Sequence, residues 1–370
     1  MTPERALTRL FTSAEVSEDT FTPEFTQKVP IAKLRELVAS LKAQLGVFQG
    51  VEATRDGLEV AFARGKLSAA VRLDEQGRFG GLKLQAVARK VASMEDALEA
   101  YRALGERVGV LVTDGAGASL GGVEPDAPLA VGSTFKLALL AALRDQIDAK
   151  RRSWRDVVEL READRSLPSG LLQEWPAGAP LTLYALAALM VSRSDNTATD
   201  ALIDLVGRAA AEAHAPRNRP YLTTRELFTL KAPGNEAILA SYREGGEGAK
   251  RAILTGLRAL PLPRAEAYPT APTALDVEWF FSPKELCALM ARVRDLPFMG
   301  INPGVADRAE WDRVAYKGGS EPGVLSMVTW LEKGPKRYCV ASIWNGPKPA
   351  DEIAFTFASQ GLFHYLRGLP

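Results

Sequence analysis

"AVGSTFKLALLAALRDQI", residues 130–147, sets a hydroxyl and an amine three positions apart at the head of a segment that is otherwise mostly apolar. The uncharged run from Leu137 to Leu143 is rich in helix formers, so the stretch reads as a buried helix. On a solvated helix, Ser133 would be a cap and Lys136 one member of a charged stripe. Here the amine stands among neighbours that leave water. Positions i and i+3 share a helix face, so the Lys136 amine can reach the Ser133 hydroxyl. Burial disfavours an ammonium and lowers its pKa, which would make Lys136 a base for a serine that is a poor nucleophile unaided. Backbone N–H groups and the positive dipole end at a helix start would meet an oxyanion forming on the attacked carbonyl.

The rest of the composition removes competing chemistries. Only two histidines exist, His214 and His364, and neither has a carboxylate or metal-ligand neighbour at motif spacing. A Ser-His-Asp, Cys-His or multi-histidine metal mechanism is therefore not expected. Gly117-Ala118-Ser119-Leu120-Gly121 matches the G-x-S-x-G pattern formally, but it sits in a glycine-rich hairpin loop rather than between a strand and a helix. Lys plus Arg (46) nearly balance Asp plus Glu (45), so no basic face tracks nucleic acid and no polybasic segment addresses a membrane. The expected partner is a small molecule, and no cofactor is called for. Cys287 and Cys339 form no CxxC or CxxH unit and read as separate core thiols.

A length of 370 residues favours two domains, and the patterning divides them near residue 92. Residues 1–92 read as a small α+β domain. Helical patterns at about 3–11 and 31–45 precede four segments of period-two alternation separated by Arg-Asp-Gly, Gly-Lys and Glu-Gln-Gly turns. An antiparallel sheet covered by two helices is similar to cone-shaped domains of the steroid-isomerase type, here read as a docking or stabilising module. Residues 93–370 run helix, strand, many helices, then three strands and a last helix. That order implies one antiparallel sheet flanked by helices, with a helical lobe inserted between its halves. No apolar run is long enough for a membrane span or a leader in the sequence as given. A leader removed beforehand would mean a periplasmic or secreted protein, its absence a cytoplasmic one, and the sequence leaves both open.

Three short motifs occur once each: Ser133-x-x-Lys136, Ser194-Asp195-Asn196 and Lys317-Gly318-Gly319. The first opens a buried helix, the second follows a helix end and the third lies in a strand. This order resembles class A β-lactamases and penicillin-binding serine hydrolases, over roughly residues 93–369. The resemblance implies an acyl-enzyme on Ser133 with Lys136 as base. It gives Ser194 the proton relay to the leaving nitrogen, Asn196 the substrate's amide side chain and Lys317 the substrate carboxylate. The N–H groups of Ser133 and Ser320 would form the oxyanion hole, and Gly319 would let ligand approach the strand closely. Asp195 reads as a buried structural carboxylate.

Two departures qualify the resemblance. The strand motif of that family carries Thr or Ser where this chain has Gly318, and Ser320 is the substitute expected from sequence. The E-x-x-L-N segment that activates water in class A enzymes is absent, and Glu226 is the best-placed replacement, so release of an acyl group is expected to be slow. With its small first domain, the chain also resembles the two-domain β-lactamase-like proteins related to that of clavulanic-acid gene clusters. That likeness implies modest β-lactam or ester chemistry. The same residues would serve a D-Ala-D-Ala peptidase or a carboxylesterase, and a ligand-binding protein without turnover is the reading from another class.

Overall fold

Alternating apolar residues between positions 48 and 87 build the first sheet. The computed structural model describes residues 1–369 except 55, 56, 64 and 88–90; the Arg55-Asp56 part of the expected turn lies outside them. Helices α1 (Pro3–Thr12), α2 (Pro23–Lys28) and α3 (Ile31–Leu45) precede strands β1 (Phe48–Thr54), β2 (Gly57–Phe62), β3 (Gly65–Leu73) and β4 (Phe79–Val87). The strands pair antiparallel in sequence order, as a meander. Leu7, Leu10 and Phe11 of α1 and Leu34, Val38, Leu41 and Leu45 of α3 recur at helical spacing and cover Val60, Phe62, Leu67 and Phe79 of the sheet. Helix α4 (Met94–Arg102) starts where Ser93 Oγ accepts from Asp96 N at 3.1 Å.

The chain divides into two compact units, residues 1–104 with 351–370, and residues 105–350. The second unit holds β5 (Arg107–Asp114), β6 (Ser119–Val123), β7 (Leu129–Ala130), α5 (Lys136–Asp148), β8 (Val157–Glu159) and β9 (Pro180–Thr182). Helices α6 (Leu183–Ser192), α7 (Asn196–Val206), α8 (Arg208–His214), α9 (Thr224–Lys231), α10 (Glu236–Glu244) and α11 (Glu247–Leu257) form the helical lobe. Then come β10 (Phe280–Phe281), α12 (Pro283–Val293), β11 (Arg313–Glu321), β12 (Val324–Lys333) and β13 (Lys336–Asn345). One five-stranded antiparallel sheet has the order β11-β12-β13-β5-β6, so the unit's first and last strands meet at β5 and β13. The G-x-S-x-G stretch lies in the β5–β6 hairpin. Helix α12 opens as its sequence indicates, with Pro283 in the first turn and a reciprocal capping box between Ser282 and Glu285.

Helix α13 (Glu352–Gly368) returns to the first unit, where Phe355 meets the Tyr101 ring edge-on at 5.8 Å and the Ser359 and Tyr101 hydroxyls lie 2.9 Å apart. Within the second unit the structure corrects the cysteine reading. Cys287 and Cys339 are joined in a disulfide between α12 and β13, with Cα atoms 5.9 Å apart. Helix–sheet packing brings together two thiols that lie 52 positions apart. Among the described residues no helix is long and apolar enough to cross a membrane.

Candidate active site

Ser133 lies in a 3-10 turn, Gly132–Phe135, that runs directly into α5. In a 3-10 turn, side chains at i and i+3 eclipse, so the turn aligns Ser133 with Lys136 more closely than an α-helix would. The turn is clamped from three sides. Val131 N donates to Trp279 O at 3.0 Å, Ser326 Oγ donates to Val131 O at 2.7 Å, and Tyr221 Oη donates to Phe135 O at 2.8 Å. Phe135 stacks on Trp279 with ring centroids 3.7 Å apart. Strand β11 closes the fourth side. A Cβ on Gly319 would stand 2.6 Å from Ser133 N, so glycine there allows strand and turn to touch. A Cβ on Gly132 would stand 3.2 Å from Ser320 N, so the two N–H groups expected to face an oxyanion lie on adjoining backbones.

Lys136 is fully buried, and burial lowers its pKa to about 7 against the opposing pull of Asp200, Asp195 and Glu321. Its Nζ donates to Ser194 O at 2.7 Å and Asn196 Oδ1 at 2.7 Å, and lies 3.2 Å from Ser194 Oγ. Among the described residues Ser133 Oγ is not one of its hydrogen-bond partners; the amine is held by the S-D-N segment. Lys317, also buried, places its Nζ 3.0 Å from Ser194 Oγ and donates to Gly318 O at 2.5 Å. Burial first, and the nearby Lys136 second, push the Lys317 amine well below its ordinary pKa.

The S-D-N segment is locally costly. Ser194 adopts φ = 54°, a left-handed backbone that side chains other than Gly, Asn and Asp rarely take. Asp195 holds it: its buried carboxylate caps α7 through Ala198 N (2.8 Å) and accepts from Leu171 N (2.7 Å) and Leu172 N (3.0 Å). Asn196 shares its amide between Lys136 and Leu167 O, the latter at 3.0 Å.

Glu226 is not brought to this cluster. Its two oxygens take Arg208 at 2.6 and 3.0 Å, and Oε2 accepts Thr223 N at 2.8 Å in a capping box that starts α9. It lines a cavity of about 320 Å³ with Asp200 and Arg225, whose walls include none of Ser133, Lys136, Ser194 or Lys317. The sequence signal for this was present, since Thr223-x-x-Glu226 has the spacing of a capping box. His214 does have a carboxylate partner, Asp145, at 2.7 Å, but the two are 69 positions apart, beyond any motif. A buried cluster of Lys231, Glu278 and Glu321 at the end of β11 also escaped sequence reasoning, because its members come from three distant segments.

Residues 88–224, somewhat over a third of the chain, match the model of the beta-lactamase enzyme family. The fold is similar to a β-lactamase from Sphaerobacter thermophilus, at 23% identity over 75% of this chain and 97% of that one, with a TM-score of 0.52. It is similar to PBP-A at 18% identity, over 75% and 97% of the two chains, with a TM-score of 0.50. An ancestral class A β-lactamase aligns at 18% identity, over 73% and 98%, with a TM-score of 0.51. At these identities the likeness is one of fold. Comparison with curated proteins found no match.

Proposed function

We propose that the chain is a serine acyl-transferring hydrolase that forms an acyl-enzyme on Ser133 with β-lactams or related amides and esters. One observation carries this reading: two buried amines, Lys136 and Lys317, meet at the Ser194 hydroxyl beside the turn that holds Ser133. A lysine titrating near 7 is matched to taking a serine proton at neutral pH. In the proposed sequence, Lys136 takes the proton as Ser133 Oγ bonds to the carbonyl carbon. Ser194, in contact with both amines, returns a proton to the leaving nitrogen or oxygen. The N–H groups of Ser133 and Ser320 receive the oxyanion. Asn196 orients Lys136, and its remaining amide hydrogen serves the substrate's acyl amide. Glu226 is engaged at both oxygens, so we assign it to capping and expect slow deacylation. Residues 93–370 carry this chemistry, and residues 1–92, with their likeness to cone-shaped domains, we assign to docking or stabilisation.

Labelling with a fluorescent penicillin tests the reading. Wild type is expected to take up one equivalent, Ser133→Ala none, and Lys136→Ala far less. A folded wild type that stays unlabelled by penicillins, cephalosporins and activated esters overturns it. Repeated turnover of nitrocefin marks a β-lactamase, a single-equivalent burst a penicillin-binding type, and preference for activated esters an esterase.

A further inference from the structure

The glycine at 318 leaves the strand motif without its hydroxyl, and the structure indicates what stands there instead. Tyr316 and Gly318 are two positions apart on β11 and therefore share a face of the sheet. A Cβ built on Gly318 would fall onto the phenol oxygen of Tyr316 and 2.9 Å from Cζ. The phenol thus occupies the space where a threonine or serine side chain at 318 would begin. Gly304 makes room for the ring, since a Cβ at 304 would run into it. On the other side of residue 318, its carbonyl accepts from Lys317 Nζ at 2.5 Å, so a hydroxyl and an amine flank one residue. Among the described residues the Tyr316 hydroxyl has no hydrogen-bond partner.

Resting on the acyl-enzyme reading, we propose that Tyr316 supplies the hydroxyl that receives the substrate's carboxylate beside Lys317. The substrate class is then an acyl donor with a carboxylate on its leaving-group side. Burial supports the assignment, since it pushes the phenol up to about 12 and keeps it a donor throughout the neutral range. A carboxylate accepting one O–H and one N–H bond in a partly dry site makes the strong, charge-assisted kind of hydrogen bond. Ser320, the substitute expected from sequence, follows on the same strand with an exposed side chain and its backbone turned to Gly132. The collision also explains why 318 is glycine, because a side chain there and the Tyr316 phenol exclude each other.

The test compares penicillin G with its methyl ester in the full-length protein, as the ratio of their Ser133 acylation efficiencies. Tyr316→Phe is expected to reduce this ratio tenfold or more, the effect of losing a hydrogen bond to a charged group, and to act mainly on binding rather than on the limiting rate. The exchange Tyr316→Leu with Gly318→Thr, which moves the hydroxyl to 318, is expected to restore it to within a few-fold. An unchanged ratio in a folded Tyr316→Phe protein, or equal losses with both donors, overturns the assignment while leaving the acyl-enzyme reading intact. Failure of both donors, and of cephalosporins and activated esters as well, to label Ser133 of the folded wild type overturns that reading and the carboxylate site with it.

Discussion

Lys136 and Lys317 converge on one oxygen, the hydroxyl of Ser194, at 3.2 and 3.0 Å. Two ammonium groups so placed in a dry interior repel one another, so the arrangement favours amines that have lost their protons. Acylation is therefore expected to rise with pH and level off, with a midpoint near 7 where Lys136 becomes neutral. Stability should follow a related course. In the folded state Lys136 gives up its proton at about 7, whereas its ordinary value is 10.5. Between those values the unfolded chain binds more protons, so wild type gains stability as pH rises through the window. Denaturant midpoints from pH 7 to 10 should show a smaller gain in Lys136→Met, and equal slopes would exclude the shifted amine.

The left-handed backbone of Ser194 separates chemistry from strain. Ser194→Ala and Ser194→Gly both remove the hydroxyl between the amines, and both should slow acylation by roughly 10²–10⁴-fold. Only glycine relieves the φ of 54°, so the Gly protein is expected to be more stable than the Ala protein by about 1 kcal/mol. Chemical denaturation of the two variants measures the difference.

Gly319→Ala drives a methyl group toward Ser133 N and Thr134 N, which would lie 2.6 and 2.7 Å from the new atom. Strand and turn must part, and overpacking of this kind typically costs about 1–3 kcal/mol. Penicillin labelling is expected to disappear with a lowered melting temperature. A labelled, equally stable Ala variant would show that the strand does not press on the turn.

Reduction of Cys287–Cys339, or the double replacement by alanine, releases a loop spanning 52 positions. Loop-closure entropy places the loss on the order of 4 kcal/mol. Melting curves with and without reductant check this, and an unchanged curve in a protein shown by mass to be reduced would contradict it.

Lys231 is buried against Glu278 and lies 3.2 Å from Glu321, while burial and Glu321 raise the Glu278 pKa despite the lysine. Lys231→Met strands two carboxyl groups in the interior, a change that usually costs about 3–5 kcal/mol. A carboxyl whose folded pKa is raised stabilises the fold at low pH and loses that contribution as pH climbs past the ordinary carboxylate range. The deficit of Lys231→Met should accordingly be smaller at pH 5 than at pH 8, by urea titration.

Much of this was legible because the decisive features are local. The period-two segments at 48–87, the buried run after Lys136 and the Ser282-Pro283 helix start each declare themselves within a few residues. The three motifs could be read as words, but their meeting could not: Ser194 lies 58 positions from Lys136 and 123 from Lys317. The disulfide stayed hidden because only the packing of α12 on β13 sets its two cysteines side by side. Glu226 pairs with Arg208 and closes the capping box of α9, and of these two roles only the box has a local signature, the Thr223-x-x-Glu226 spacing. Tyr316 gave no sign beyond an unexplained glycine two positions on.

Helix α13 completes a core begun some 250 residues earlier, since Tyr101 finds its ring neighbour at Phe355 and its hydroxyl partner at Ser359. During synthesis, residues 1–104 leave the ribosome well before α13 and must therefore wait, with part of their apolar surface bare, until residues 105–350 have emerged. Release of an incomplete product, by a stalled message or a nick before Glu352, would strand the early segment in that half-finished condition and mark it for chaperones or proteases.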